Sequence, residues 1–112
     1  MDNIATINRE KLTEAFKPPR IKSASKFIQK GIPQTTILKG EPNALVIEGP
    51  FLSTTIEIEG NWTKEIELKT TEAYDLLKNK LPKSESVTIF LEDRKFWFQI
   101  DKLKVSITPI KI

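Results

Sequence analysis

The sequence predicts an α+β fold built from one repeated unit, β-α-β-β-β followed by the same order again. Three observations carry the prediction. Ala5-Thr6-Ile7 runs into the helical stretch Asn8–Phe16, and Glu65–Leu68 runs into the helical stretch Thr70–Leu77, so the same strand-to-helix step occurs twice. The apolar helix positions correspond, with Leu12, Ala15 and Phe16 matching Ala73, Leu76 and Leu77. Each step is followed by three alternating apolar runs, in which Thr36-Ile37-Leu38 matches Thr88-Ile89-Phe90 and Thr54-Thr55-Ile56 matches Val105-Ser106-Ile107. Self-similarity at such spacing marks a duplicated structural unit. The half-repeats span about 3–60 and 63–112, within a single domain covering residues 1–112.

Each element has a local reason. Asn8 is placed to cap the first helix, with Glu10 in the first turn favourable to the helix dipole. Pro18-Pro19 ends it, because proline pushes the preceding residue out of helical geometry. Between Arg20 and Pro33 a basic loop follows, with a helical turn expected over Ser25–Lys30. Strands are expected at Thr35–Lys39 and Ala44–Glu48, joined by the turn Gly40–Asn43, and at Leu52–Glu59, where apolar and polar residues alternate. Gly60-Asn61 reads as a tight hairpin returning through Thr63–Leu68. Thr70 or Thr71 is the expected cap of the second helix, which ends with Lys78 and Lys80 before Pro82. Three strands close the sequence, their inward faces being Val87/Ile89/Leu91, Phe96/Phe98/Ile100 and Leu103/Val105/Ile107, with turns at Glu92–Arg94 and Asp101-Lys102.

Composition excludes several kinds of chemistry. With 112 residues there is room for one modest core. Cysteine and histidine are both absent, which removes disulfides, the usual zinc and copper ligands, and nucleophilic triads or dyads that rely on His. The four glycines sit where turns are expected and form no phosphate loop. No enzyme activity, metal or cofactor is expected. No apolar run is long enough to span a bilayer and no signal core follows Met1-Asp2-Asn3, so a cytoplasmic protein without membrane contact is expected.

Charge distribution points toward partners. The net charge is +3, yet no acidic residue occurs between Ala15 and Gly40, where Lys17, Arg20, Lys22, Lys26, Lys30 and Lys39 are all basic. Such asymmetry suits an anionic partner, nucleic acid being the commonest. Lys17, Arg20, Lys22, Lys26 and Lys30 are therefore candidate phosphate contacts, with Arg9 and Lys11 on the adjoining flanks of the first helix; a solvated lysine-rich loop is the competing reading. Trp97 points away from its strand's apolar face and Trp62 stands in the expected hairpin turn, which marks both as candidate surface contacts. Glu57, Glu59, Glu65 and Glu67 read as a solvated sheet face that discourages edge pairing.

The element order resembles one domain of the DNA polymerase sliding clamps. The stretch Ile66–Leu81 looks like their second strand-helix step, Ser86–Phe98 like the hairpin that follows it, and Val105–Ile112 like the carboxyl terminus of bacterial clamps. The resemblance implies two short helices packed on curved antiparallel sheets. It also implies that Pro109, Ile110 and Ile112 help wall a pocket for client peptides, although the rest of that pocket comes from a preceding domain. Clamp rings contain six such domains, so a single one implies six copies, a longer partner chain, or a solitary domain. In clamps the helix faces line the hole and are mainly basic; here Glu10, Glu14 and Lys17, then Thr71, Asp75 and Lys78, are expected outermost.

The expectation is a non-enzymatic DNA-associated scaffold that self-associates, binds client proteins and meets duplex DNA without reading bases. The alternative is a stand-alone protein-interaction module, an inhibitor or accessory subunit, that reuses the fold without DNA. A third is a nucleic-acid binder using only the basic loop.

Overall fold

The computed structural model describes residues 3–17, 35–49 and 53–112. Its elements are β1 (Ile4–Asn8), α1 (Arg9–Phe16), β2 (Thr35–Glu41), β3 (Ala44–Glu48), β4 (Ser53–Asn61), β5 (Ile66–Lys69), α2 (Thr70–Asp75, continued by a π-helical turn Leu76–Lys80), β6 (Ser86–Glu92), β7 (Lys95–Ile100) and β8 (Leu103–Ile107). The expected β-α-β-β-β duplication is present. The strands form one curved antiparallel sheet in the order β5-β2-β3-β4-β1-β6-β7-β8. Each half thus lends its first strand to the other half: β5 flanks β2, and β1 flanks β6.

The two helices supply one side of the core. Asn8 caps α1 as expected, its side-chain oxygen accepting from the Lys11 N–H at 2.9 Å, and Lys17 is extended (φ −67, ψ 128) ahead of Pro18. Leu12, Phe16, Ala73 and Leu77 are buried, while Ala15 and Leu76 pack against the same cluster, so the helix positions matched in sequence do match in space. Burying a side chain such as Phe16 contributes about 1.5–3 kcal/mol. The sheet contributes Leu38, Leu45, Ile47, Ile56, Phe96, Phe98 and their neighbours to the same core.

Thr70 and Thr71 do not cap α2. Lys69 holds the cap position and makes no side-chain bond there. The Thr70 hydroxyl is instead buried in a 2.7 Å hydrogen bond with the Thr36 hydroxyl, which satisfies two polar groups that burial would otherwise penalise. The π-turn is closed by Leu81 N–H donating to Leu76 O at 3.0 Å.

The Gly60-Asn61 hairpin is also corrected. β4 continues through Asn61 and pairs with β3 and β1, whereas β5 pairs with β2. Gly60 adopts φ 125 because β1 lies against it: a Cβ there would stand 2.4 Å from Ile4 O and 2.9 Å from Ala5 Cα. That glycine serves a close strand crossing rather than a reversal. Two-residue hairpin turns occur instead at Pro42-Asn43, Asp93-Arg94 and Asp101-Lys102, and at Asp93-Arg94 both residues have positive φ, as the twist of the flanking strands demands.

One match between the halves slips by a residue. Leu68 faces Thr36 on β2, and its counterpart Ile7 faces Val87 on β6, so Thr36 corresponds to Val87 and not to Thr88. A slip of one flips side chains to the opposite face, which is why Thr36 is buried and Thr88 only half-buried. The other strand match holds: Ile56 faces Leu45 as Ile107 faces Phe96.

Candidate partner and nucleic-acid interface

Among the described residues, two strand edges stand open at equivalent places in the two halves. The Ile58 N–H donates to Asn43 O at 3.0 Å, toward the β3 side. By strand alternation Thr55 and Glu57 turn their backbone groups the other way, beyond the last β1 pair at Ile7–Ile58, where none of the described strands pairs with them. Between this edge and α1 lies an open groove of about 650 Å³, its floor made by Ala15 and Ile56 and its rim by Glu10, Lys11, Glu14 and Thr55. At the far end, β8 has β7 as its only neighbour among the described strands, and Leu103 on it is 42% exposed. Unpaired edges are templates for strand addition.

The helical layer carries balanced charge. Glu10, Glu14, Glu72 and Asp75 are exposed there together with Lys11, Lys17, Lys78 and Lys80, and the residues expected outermost are all exposed. Arg9 departs from its expected role as a phosphate contact. Its guanidinium donates to Leu77 O in the π-turn and its Nε is buried with no partner among the described residues, so it ties α1 to α2. Positive charge near the carboxyl end of a helix is favourable to the dipole, which gives Arg9 a structural use. Lys11 and Lys17 remain exposed. Arg20, Lys22, Lys26 and Lys30, with the helical turn expected over Ser25–Lys30, lie outside the described residues.

The two tryptophans part company. Trp62 is 3% exposed, packed edge-on to Phe96 with ring centroids 5.7 Å apart, and its indole N–H donates to Lys64 O at 2.8 Å. A surface contact through Trp62 is therefore excluded. It follows no hairpin turn; instead it fills the space beneath the β4–β5 connection. Trp97 stays half-buried on the outer face, parallel to the buried Phe90 ring at 5.9 Å, with its indole N–H donating to Glu92 O. Lys104 Nζ sits 5.8 Å from the same Phe90 ring.

In the 108–112 tail, Pro109 is buried while Ile110 and Ile112 are 50% and 52% exposed. The tail lies along β5: Ile110 N–H donates to Glu67 O at 2.8 Å, and Glu67 N–H donates to Lys111 O at 2.9 Å. This pairing was missed in the sequence, although the signal existed. Aligning Ile56 with Ile107 makes Pro109 the counterpart of Ile58, so a tail running beside β5 repeats the way β4 runs beside β1.

The four glutamates do not share adjacent strands, since β4 and β5 are unpaired with each other. No cluster of three potential metal-ligating His, Cys, Asp or Glu side chains occurs among the described residues. Glu65 instead joins Glu48 about Lys39, at 3.6 and 3.2 Å. The hydrogen bond that Lys39 donates to the Glu48 carboxylate, with that group's negative charge, raises the Lys39 ammonium above its ordinary pKa. Exposed ion pairs of this kind add little to stability.

This architecture recurs in solved structures. One, from Eubacterium rectale ATCC 33656 and described as a DNA polymerase III beta subunit, matches with a TM-score of 0.74 at 14% identity over 99% of this chain and 31% of its own. Another, the beta sliding clamp of C. crescentus, matches with a TM-score of 0.69 at 12% identity over 98% of this chain and 30% of its own. The fold is therefore that of a sliding-clamp domain. This chain spans about a third of the length of either of those chains. No protein-family model and no curated protein matches it in sequence. Among the described residues, no helix is long and apolar enough to cross a membrane.

Proposed function

We propose that residues 1–112 form one clamp-like domain that serves as a non-enzymatic cytoplasmic scaffold, assembling with itself through the edges of β4 and β8. The observation that carries this reading is the pair of open edges, one in each half, with the α1 groove beside the first and exposed Leu103 on the second. In this reading duplex DNA is held by enclosure in the assembly and by Lys17, Arg20, Lys22, Lys26 and Lys30. Arg9 belongs to the framework, and Trp97, Ile110 and Ile112 remain as client contacts.

The charge-balanced helical layer favours a second reading, a protein-interaction module that does not use DNA. Affinity for duplex falls steeply with salt in proportion to the phosphates neutralised, so a neutral layer adds little attraction. Titration of duplex against salt separates the two. The scaffold reading expects binding at low salt that Lys22→Glu/Lys26→Glu weakens by about tenfold or more; absence of binding at low salt leaves the module.

Assembly is tested by sedimentation across protein concentration. Thr55→Pro removes a backbone donor that faces the open edge and leaves the β3 ladder intact, so it is expected to shift the chain to monomer while the fold persists. A wild-type chain that stays monomeric at the highest concentration would refute self-assembly.

A further inference from the structure

We propose that the outer face of β6, β7 and β8 binds single-stranded nucleic acid, with a base stacked on Trp97 and a phosphate on Lys104. Each outward position in this half has a counterpart in the other. Continuing the matches of Ile7 with Leu68, Thr36 with Val87, and Ile56 with Ile107 makes Phe90 the counterpart of Lys39, Gln99 of Glu48 and Ile4 of Glu65. In the same way Trp97 corresponds to Val46 and Lys104 to Ser53. In the first half, Lys39, Glu48 and Glu65 form an ion cluster. In the second half the same three positions hold Phe90, Gln99 and Ile4, all uncharged. The fold therefore does not require aromatic rings at this place.

The face holds what a strand of nucleotides needs. Trp97 lies parallel to Phe90 within 3°, and the bond from its indole N–H to Glu92 O fixes a ring that is only half-buried. Beside the rings runs an uncharged row of hydrogen-bonding side chains, Thr6, Thr88 and Gln99, which ends at Lys104. Among the described residues neither Lys95 nor Lys104 is ion-paired, and Glu92 is the single acid at the outward strand positions of β6 to β8. The outward positions of β3, β4 and β5, by contrast, carry Glu48, Glu57, Glu59 and Glu67, a charge that confines phosphates to the second half. The apolar strip of Ile4, Phe90 and Trp97 is one residue wide between polar rows. That shape suits the flat face of a base better than a helix or an apolar peptide. An aromatic platform with a nearby cation is the basis of single-strand binding that tolerates any sequence. The site goes beyond the scaffold reading and does not depend on assembly through β4 or β8. A client held on Trp97 and a nucleotide strand would compete for the ring.

The test titrates the full chain at low salt with an oligothymidylate of about eight nucleotides. Tryptophan emission is expected to fall as the strand binds, because Trp97 is half-buried while Trp62 is enclosed. Trp97→Val copies the counterpart Val46. It is expected to abolish the quench and to weaken binding, read by anisotropy of a labelled strand, by about tenfold or more. Lys104→Ser copies Ser53, leaves the core untouched, and is expected to lower the slope of log affinity against log salt by about 0.7. An abasic strand with the same number of phosphates is expected to bind wild type and Trp97→Val equally, and about tenfold more weakly than oligothymidylate binds wild type. Lys22→Glu/Lys26→Glu is expected to leave the quench at saturation in place. Equal affinity of wild type for the abasic and thymidine strands would overturn the proposal, as would unchanged affinity in Trp97→Val. A quench lost in Lys22→Glu/Lys26→Glu would also overturn it, by moving the strand to the basic loop. Weaker self-association of Trp97→Val with no binding of either strand would overturn it too, and would assign the face to a second copy of the chain.

Discussion

Trp62→Ala is expected to lower the unfolding free energy by about 3–5 kcal/mol, the range for emptying a large aromatic site in a core. Three losses combine. The indole is withdrawn from a fully enclosed position, the edge-on contact with Phe96 is removed, and Lys64 O loses its donor. A domain of this size is stable by only about 5–15 kcal/mol, so the variant would stand near the limit of folding. Denaturant unfolding measures it directly, as a fall in midpoint at constant slope. A surface tryptophan awaiting a partner would behave differently: its removal would change stability by roughly 0.5 kcal/mol or less. A small effect would therefore restore the surface role that the structure denies to Trp62.

The contrast with Trp97 shows what was legible in the sequence. Periodicity gave the inward faces of β6, β7 and the helices, because burial on one face of a regular element obeys a fixed repeat. Trp62 lies between β4 and β5, outside any regular element, and no period assigns it a face. The hairpin misreading had the same root. Gly60-Asn61 has the composition of a turn, but whether a glycine reverses the chain or admits a crossing strand depends on β1, some 55 residues earlier in sequence. The slip between Thr36 and Val87 is related: two threonines were matched by identity, while strand register follows burial and buried hydroxyls pair only where the fold brings another hydroxyl near.

The candidate site was less legible than the fold. Open edges are properties of topology, visible only after the first strands of the two halves have exchanged places. Arg9 reads as a surface base at the start of a helix, and only the approach of the π-turn converts it into a tie between helices. By contrast, the mixed charge of the helical layer could be projected from sequence, because helical spacing alone fixes which of Glu10, Glu14, Asp75 and Lys78 face outward.

Gly40→Ala is the second large effect, expected to cost about 3 kcal/mol, the upper part of the range for overpacking. A Cβ on Gly40 would lie 1.6 Å from Trp62 O and 2.4 Å from the Trp62 carbonyl carbon, so it meets backbone and not a movable side chain. Relief requires the 62–64 segment to lift, and that segment is pinned from two directions. The Asn3 side-chain oxygen accepts from Thr63 N–H at 2.9 Å and from Lys64 N–H at 3.0 Å, while the Trp62 ring is fixed in the core beneath. If those pins are what make the clash costly, loosening one should make it cheaper. Asn3→Ala is therefore expected to reduce the penalty of Gly40→Ala, giving a favourable coupling of about 0.5 kcal/mol or more in a double-mutant cycle. Strict additivity would mean that Asn3 does not restrain the segment. A cost below about 1 kcal/mol for Gly40→Ala alone would mean that the Trp62 backbone can move away from β2 freely, which its buried ring forbids.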